Sequence, residues 1–179
     1  MKKFNLVSFL MMAIIGTSPG QLKPATKLSG DVGLTRPKLV VGLVIDQMRW
    51  DYLYKFSGMY ANNGFKRLLS EGHSFENTLI PYTPTYTAAG HASVYTGSVP
   101  AINGIVGNNW FDKRTGTNVY CTEDSTAITV GSTSPAGKMS PVNLWSSTIT
   151  DELRLSNNFQ SKVIGISLKD RGAILPAGH

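Results

Sequence analysis

At 179 residues the chain is long enough for one ordinary domain with a sizeable core. Its net charge of +6 comes from 17 Lys and Arg against 11 Asp and Glu, spread along the chain without a basic stripe or a nucleic-acid-binding motif. That excludes nucleic acid as a specific partner, and a single cysteine, Cys121, excludes an intrachain disulfide framework.

Lys2 and Lys3 precede an apolar run over 6–15 and then the small residues Gly16, Thr17, Ser18, Pro19 and Gly20. The pattern predicts a secretory signal over 1–20, cut after Gly20, since the run is too short and interrupted to span a bilayer. No other stretch could cross a membrane, so the mature chain is expected to be periplasmic or secreted. Residues 21–36 read as a flexible polar lead-in, and 37–179 as the folded part.

Residues 38–45 are an almost unbroken β-branched and apolar run, the mark of a strand covered on both faces. It ends in Asp46, where open α/β sheets keep their ligands. A helix is expected over 63–71, with Phe65, Leu68 and Leu69 inward and Gly72 ending it, and a short strand over 74–80. Pro84 then stiffens a turn that leads into a helix from Thr87 to Thr96, stopped by Gly97. Residues 97–137 read as loops with a small hairpin around 110–120. Ser140 and Pro141 suggest the start of a helix running to about Leu155, with Val142, Trp145, Ile149 and Leu153 on one face. A second buried strand is expected over 162–168, followed at once by Lys169, Asp170 and Arg171.

This alternation predicts an α/β fold, a mostly parallel sheet flanked by helices, with Asp46, Lys169 and Arg171 at one sheet edge. Two or three strands make an unfinished sheet, so the chain is expected to be the N-terminal part of a larger domain.

Each candidate site residue has a plain structural reading. Thr87 at a helix N-terminus is commonly only a cap. Yet the same position offers unpaired N–H groups and the positive end of the helix dipole, which would settle an anion beside its hydroxyl. Asp46 could merely cap a turn or be a hard carboxylate ligand of Zn²⁺ beside Thr87. Lys169 and Arg171 could be solvated strand-end charges, or could grip the oxygens of a phosphoryl group. Asp170 between them would face away or fix their geometry. Asn108 could satisfy a turn or donate to a phosphate oxygen. His91 falls on the helix face of Thr87 and reads as a packed histidine before a base. His73, His91 and His179 form no compact ligand set, so Asp46 and Thr87 alone cannot complete a zinc site.

Four strings, KLVVGLVIDQMRWDYL, TPTYTAAGHASVYTGSVP, GIVGNNWFD and SLKDRGAILPAGH, resemble the alkaline phosphatase superfamily. The resemblance is strongest to its phosphate-irrepressible bacterial alkaline phosphatases with a threonine nucleophile. It implies an exported alkaline-phosphatase-like domain with two Zn²⁺ ions that hydrolyses small-molecule phosphate monoesters. By position it implies Asp46 as a zinc ligand and Thr87 as a zinc-bound nucleophile forming a phosphothreonine. Asn108, Lys169 and Arg171 become contacts to the phosphoryl group, and the remaining zinc ligands come later in such proteins than His179. Two alternatives stay open: a phosphodiesterase or nucleotide pyrophosphatase of the same superfamily, and a non-catalytic phosphate-binding module. The paired cations favour the dianionic monoester.

Overall fold

The computed structural model describes residues 37–179; the expected signal over 1–20 and the lead-in over 21–36 lie outside the described residues. Residues 42–179 form one unit. In chain order its helices and strands are α1 (Tyr52–Lys55), α2 (Phe65–Glu71), α3 (Thr87–Thr96), α4 (Pro100–Asn103), β1 (Asn109–Asp112), β2 (Thr117–Tyr120), α5 (Ile149–Ser156) and α6 (Asp170–Ala177).

The helix α3 sets the centre of the unit. Tyr86 precedes it in extended conformation, and Gly97 ends it at φ 64°, a left-handed value that glycine adopts without a Cβ penalty. Its inward face is built from Ala88, Ala89, His91 and Ala92. Three of these are alanines, so the neighbouring backbone can approach closely, and α3 packs most extensively on α6. Leu175 of α6 is fully buried with Ala88, Ala92, Ile105, Cys121 and Leu144, while Trp110 and Tyr120 of the hairpin pack against that cluster. Burying a side chain such as Leu175 contributes about 2 kcal/mol.

The hairpin expected around 110–120 is present. β1 and β2 pair antiparallel, with Trp110 opposite Val119 and Phe111 opposite Asn118. It is the only sheet among the described residues.

Several expected elements differ. The runs 38–45 and 162–168 form no hydrogen-bonded ladder, so among the described residues they do not make the parallel sheet expected of them. Their side chains are not covered either: Leu43 is 77% and Ile166 89% exposed. Apolar, β-branched composition makes a segment fit for a strand, but a strand exists only when neighbours accept its backbone groups. The expected strand over 74–80 is likewise turn and coil.

The helix expected from Pro141 to Leu155 is confined to α5. Residues 141–147 turn instead, leaving Trp145 72% exposed. The true start is a capping box that pattern reading passed over. The Thr148 hydroxyl accepts the Asp151 N–H at 3.1 Å, and the Asp151 carboxylate accepts the Thr148 N–H at 2.8 Å. Two orphan donors are thereby satisfied at once. The helix α6 was not expected at all, because its Gly172 and Pro176 depress helix propensity.

Candidate active site

Three of the expected site residues meet at the start of α3. Ile45 and Met48 close a turn at 3.4 Å, with Gln47 held at φ 61°, and this turn presents Asp46. A left-handed non-glycine residue costs about 1–3 kcal/mol and persists where the surroundings enforce it. Thr87, the first residue of α3, donates its hydroxyl to Asp46 Oδ2 at 3.1 Å. Lys169, immediately before α6, donates Nζ to the same oxygen at 2.9 Å. The Lys169 hydrogen bond is the main influence holding the Asp46 carboxyl below its ordinary range; partial burial opposes it, and the Thr87 hydroxyl reinforces it.

Asn108 closes the next side. Its Oδ1 accepts the Ala88 N–H at 3.0 Å, satisfying one of the free donors of the first turn of α3. Since Oδ1 is the acceptor, the amide NH₂ remains a pair of donors. The Asn108 carbonyl in turn accepts the Cys121 N–H at 3.0 Å, which ties it to the end of the hairpin.

Arg171 is placed differently from Lys169. Its Nη1 donates to the Tyr120 hydroxyl at 2.7 Å, and that hydroxyl donates to Asp170 Oδ1 at 2.7 Å. Asp170 Oδ2 accepts the Thr122 hydroxyl at 2.8 Å. Among the described residues Arg171 makes no hydrogen bond to Asp46, Thr87 or Asn108. Burial pushes the Tyr120 hydroxyl up, helped by Asp170. Burial also pushes Asp170 up, but the hydrogen bonds from Tyr120, the Arg171 backbone and Thr122 outweigh it and leave the carboxyl below its ordinary range. Tyr120 and Thr122 were missed by sequence reasoning; the only signal was an aromatic residue closing a hairpin strand.

His91 is buried and binds the Thr87 backbone carbonyl through Nδ1 at 2.8 Å, not the Thr87 hydroxyl. A carbonyl only accepts, so Nδ1 carries the proton. The packed reading of His91 is the one the structure displays.

As for zinc, the hydroxyl of Thr87 and the carboxylate of Asp46 converge as two hard oxygen donors. They fit two positions of a zinc site. Among the described residues no group of three or more His, Cys, Asp or Glu side chains could complete it.

The sequence profile of the type I phosphodiesterase / nucleotide pyrophosphatase family matches residues 40–168, and the chain belongs to that family. It is 59% identical over 180 residues to alkaline phosphatase PhoV of Synechococcus elongatus, covering 99% of this chain and 33% of that protein. It is 65% identical over 146 residues to a protein of Myroides odoratus named a calcium-transporting ATPase, covering 82% of this chain and 27% of that one. A crystal structure of alkaline phosphatase PafA, carrying substitutions of a threonine, an asparagine, a lysine and an arginine, superposes with a TM-score of 0.79 at 59% identity. It covers 80% of this chain and 28% of the PafA chain. The α/β fold is therefore that of an alkaline phosphatase, as the four strings led one to expect, and the chain spans about a third of the length of the relatives it matches.

Proposed function

We propose that the protein carrying this chain is an exported phosphomonoesterase in which Thr87 is the nucleophile. The observation that carries the reading is the meeting of the Thr87 hydroxyl, Asp46 and Lys169 at the N-terminus of α3. A hydroxyl and a cation meeting at the positive end of a helix suit a phosphoryl group, whose oxygens need neutralising while its phosphorus is attacked. Further support comes from the substituted PafA. Its threonine, asparagine, lysine and arginine follow the same order, at closely matching separations, as Thr87, Asn108, Lys169 and Arg171.

In this reading Thr87 Oγ1 attacks phosphorus in line, the bond to the leaving oxygen breaks, and a phosphothreonine results. Water then attacks that phosphorus, releasing inorganic phosphate and restoring the hydroxyl. Lys169 and Arg171 hold non-bridging oxygens, Arg171 through a planar fork and Lys169 as a point charge. Asn108 keeps Oδ1 on Ala88 and turns its NH₂ to the phosphoryl group. Asp46 and Thr87 would hold one of two Zn²⁺ ions, with the remaining ligands outside the described residues. Bound there, zinc supplies Lewis-acid chemistry of the kind that lowers the pKa of water to about 7. Export rests on the signal-like 1–20 segment, and among the described residues no helix is long and apolar enough to cross a membrane.

The family description favours a second reading, phosphodiester hydrolysis. A monoester presents a dianion to two cations, whereas a diester carries one charge fewer and needs room for its second substituent. The test is turnover of an aryl phosphate monoester against the matching diester by the full-length protein loaded with zinc. Faster diester turnover sinks the monoesterase reading.

A further inference from the structure

Arg171 is held by partners that no phosphate contact explains. Its guanidinium is largely buried and is bound on one side by the Tyr120 hydroxyl at 2.7 Å, while Nε is buried with no partner among the described residues. Its carbon also lies over the Tyr120 ring, 6.0 Å from the centroid. Tyr120 cannot swing away, because its hydroxyl is spent on Asp170 at 2.7 Å and its ring is packed on the core cluster. Asp170 is fixed from its other oxygen by the fully buried Thr122 at 2.8 Å. The Arg171 to Asp170 separation of 3.8 Å is too long for a hydrogen bond, so the carboxylate acts on the guanidinium directly by charge alone, and by hydrogen bonding only through the tyrosine.

We infer that Tyr120 and Asp170 are positioning residues for the reaction, forming a directed chain from Thr122 and Asp170 through the Tyr120 hydroxyl that fixes the guanidinium of Arg171. The inference rests on the proposed role of Arg171 at the phosphoryl group. The direction of the chain follows from donor chemistry: guanidinium only donates, an ionised carboxylate only accepts, and the phenol must do both. The phenol therefore has to stay protonated, and its raised titration range agrees with that. Such a chain fixes a long, flexible side chain in advance of binding, so less ordering remains to be done in the transition state.

The test is a double-mutant cycle in the full-length protein, reading kcat/KM for an aryl phosphate monoester and inhibition by inorganic phosphate. Tyr120→Phe keeps the packed ring and removes only the hydroxyl. It is expected to lower kcat/KM by about tenfold, the scale of one hydrogen bond to a charged group, and to weaken phosphate inhibition in parallel. In an Arg171→Ala background the same substitution should cost less than about twofold, since its target is gone. Asp170→Asn should follow Tyr120→Phe, with a comparable loss in the parent and little further loss in the Arg171→Ala background. Equal losses with and without Arg171 would mean a structural role and overturn the inference, as would full activity of Tyr120→Phe. An Arg171→Ala enzyme with undiminished kcat/KM would instead refute the phosphoryl contact on which the inference depends. Thermal unfolding of each variant separates misfolding from mispositioning.

Discussion

Thr87 and Asp46, 41 residues apart, share a hydrogen bond of 3.1 Å, and the accepting carboxylate oxygen is the one that also takes Lys169 Nζ at 2.9 Å. One oxygen thus joins the turn after 38–45, the start of α3 and the start of α6. A cap would bond its own helix; the Thr87 hydroxyl does not, and the N-cap residue Tyr86 makes no side-chain cap either. In the first turn the Ala88 N–H goes to Asn108 Oδ1 and the Gly90 N–H to the Tyr86 carbonyl.

Replacing Thr87 separates chemistry from structure. Thr87→Ala should lower kcat by at least about 10³-fold, the scale seen when a nucleophile is removed, with little change in stability because no helix cap is lost. Thr87→Ser keeps an attacking hydroxyl and should retain measurable turnover. Acid quenching of the parent during turnover, followed by peptide mass spectrometry, should find phosphate on Thr87. Its absence under steady-state conditions, or activity retained by Thr87→Ala, would remove Thr87 from the mechanism.

Asn108 makes opposite demands on one amide, and two substitutions pull them apart. Asn108→Asp keeps the acceptor for Ala88 N–H and adds a charge that the helix N-terminus favours, so the melting temperature should hold or rise slightly. In the proposed mechanism the same charge would face the phosphoryl group, and kcat/KM should fall by about 10²-fold or more. Asn108→Ala should be less stable than Asn108→Asp yet the better catalyst. The reverse ranking of activity would show that Asn108 serves α3 alone.

The junctions that carry Asp46, Thr87 and Lys169 were more legible in the sequence than the individual strands expected before them. Asp46, Thr87 and Lys169 each stand at a junction marked by local signals: an apolar run ending in a carboxylate, a proline turn entering a small-residue helix, a second apolar run ending in a cation. Local signals survive whatever the neighbours do. The strands over 38–45 and 162–168 depend on partners for their hydrogen bonds, and among the described residues they have none, so composition alone misjudged their burial. Around α5 the apolar spacing of Val142, Trp145, Ile149 and Leu153 imitated a helical face, while the decisive signal was the Thr148 and Asp151 pair. The link from Tyr120 to Asp170, 50 residues apart, was invisible because nothing in a hairpin's sequence states which helix it will touch.

Cys121 should be chemically silent in the folded protein. It is fully buried, and burial, followed by the negative charge of Asp170, pushes its thiol up to about 11. At pH 8 the thiolate fraction is then on the order of one in a thousand, against roughly one in four for a free thiol of pKa about 8.5. A chromogenic disulfide reagent at pH 8 should leave Cys121 unmodified until denaturant is added. Linkage fixes the sign of the pH effect: the unfolded chain loses this proton first, so the contribution of Cys121 to stability is intact below pH 9.0 and declines as pH rises toward about 11. Cys121→Ala should flatten that decline in a pH series of denaturant midpoints. Rapid modification of the native protein would show that the core opens at this point.

Gly172 carries the last expectation, because two principles give it opposite signs. An alanine inside a helix is ordinarily better than glycine by about 0.5–1 kcal/mol, so Gly172→Ala would stabilise α6 in isolation. In the fold, a Cβ at 172 would lie 2.6 Å from Ser167 Oγ and 3.2 Å from Ser167 Cβ. The hydroxyl can rotate aside, but the Cβ can yield only with its backbone. Ser167 Oγ accepts the Lys169 N–H at 3.2 Å, so rotation gives up the bond that holds the residue on which Asp46 depends. Steric contact should therefore prevail over propensity. Gly172→Ala is expected to lower kcat/KM for a phosphate monoester by about tenfold or less, the scale of one hydrogen bond, chiefly through KM. The loss should largely vanish in a Lys169→Ala background. Undiminished activity with a raised melting temperature would show that Ser167 moves freely and that Lys169 does not need it.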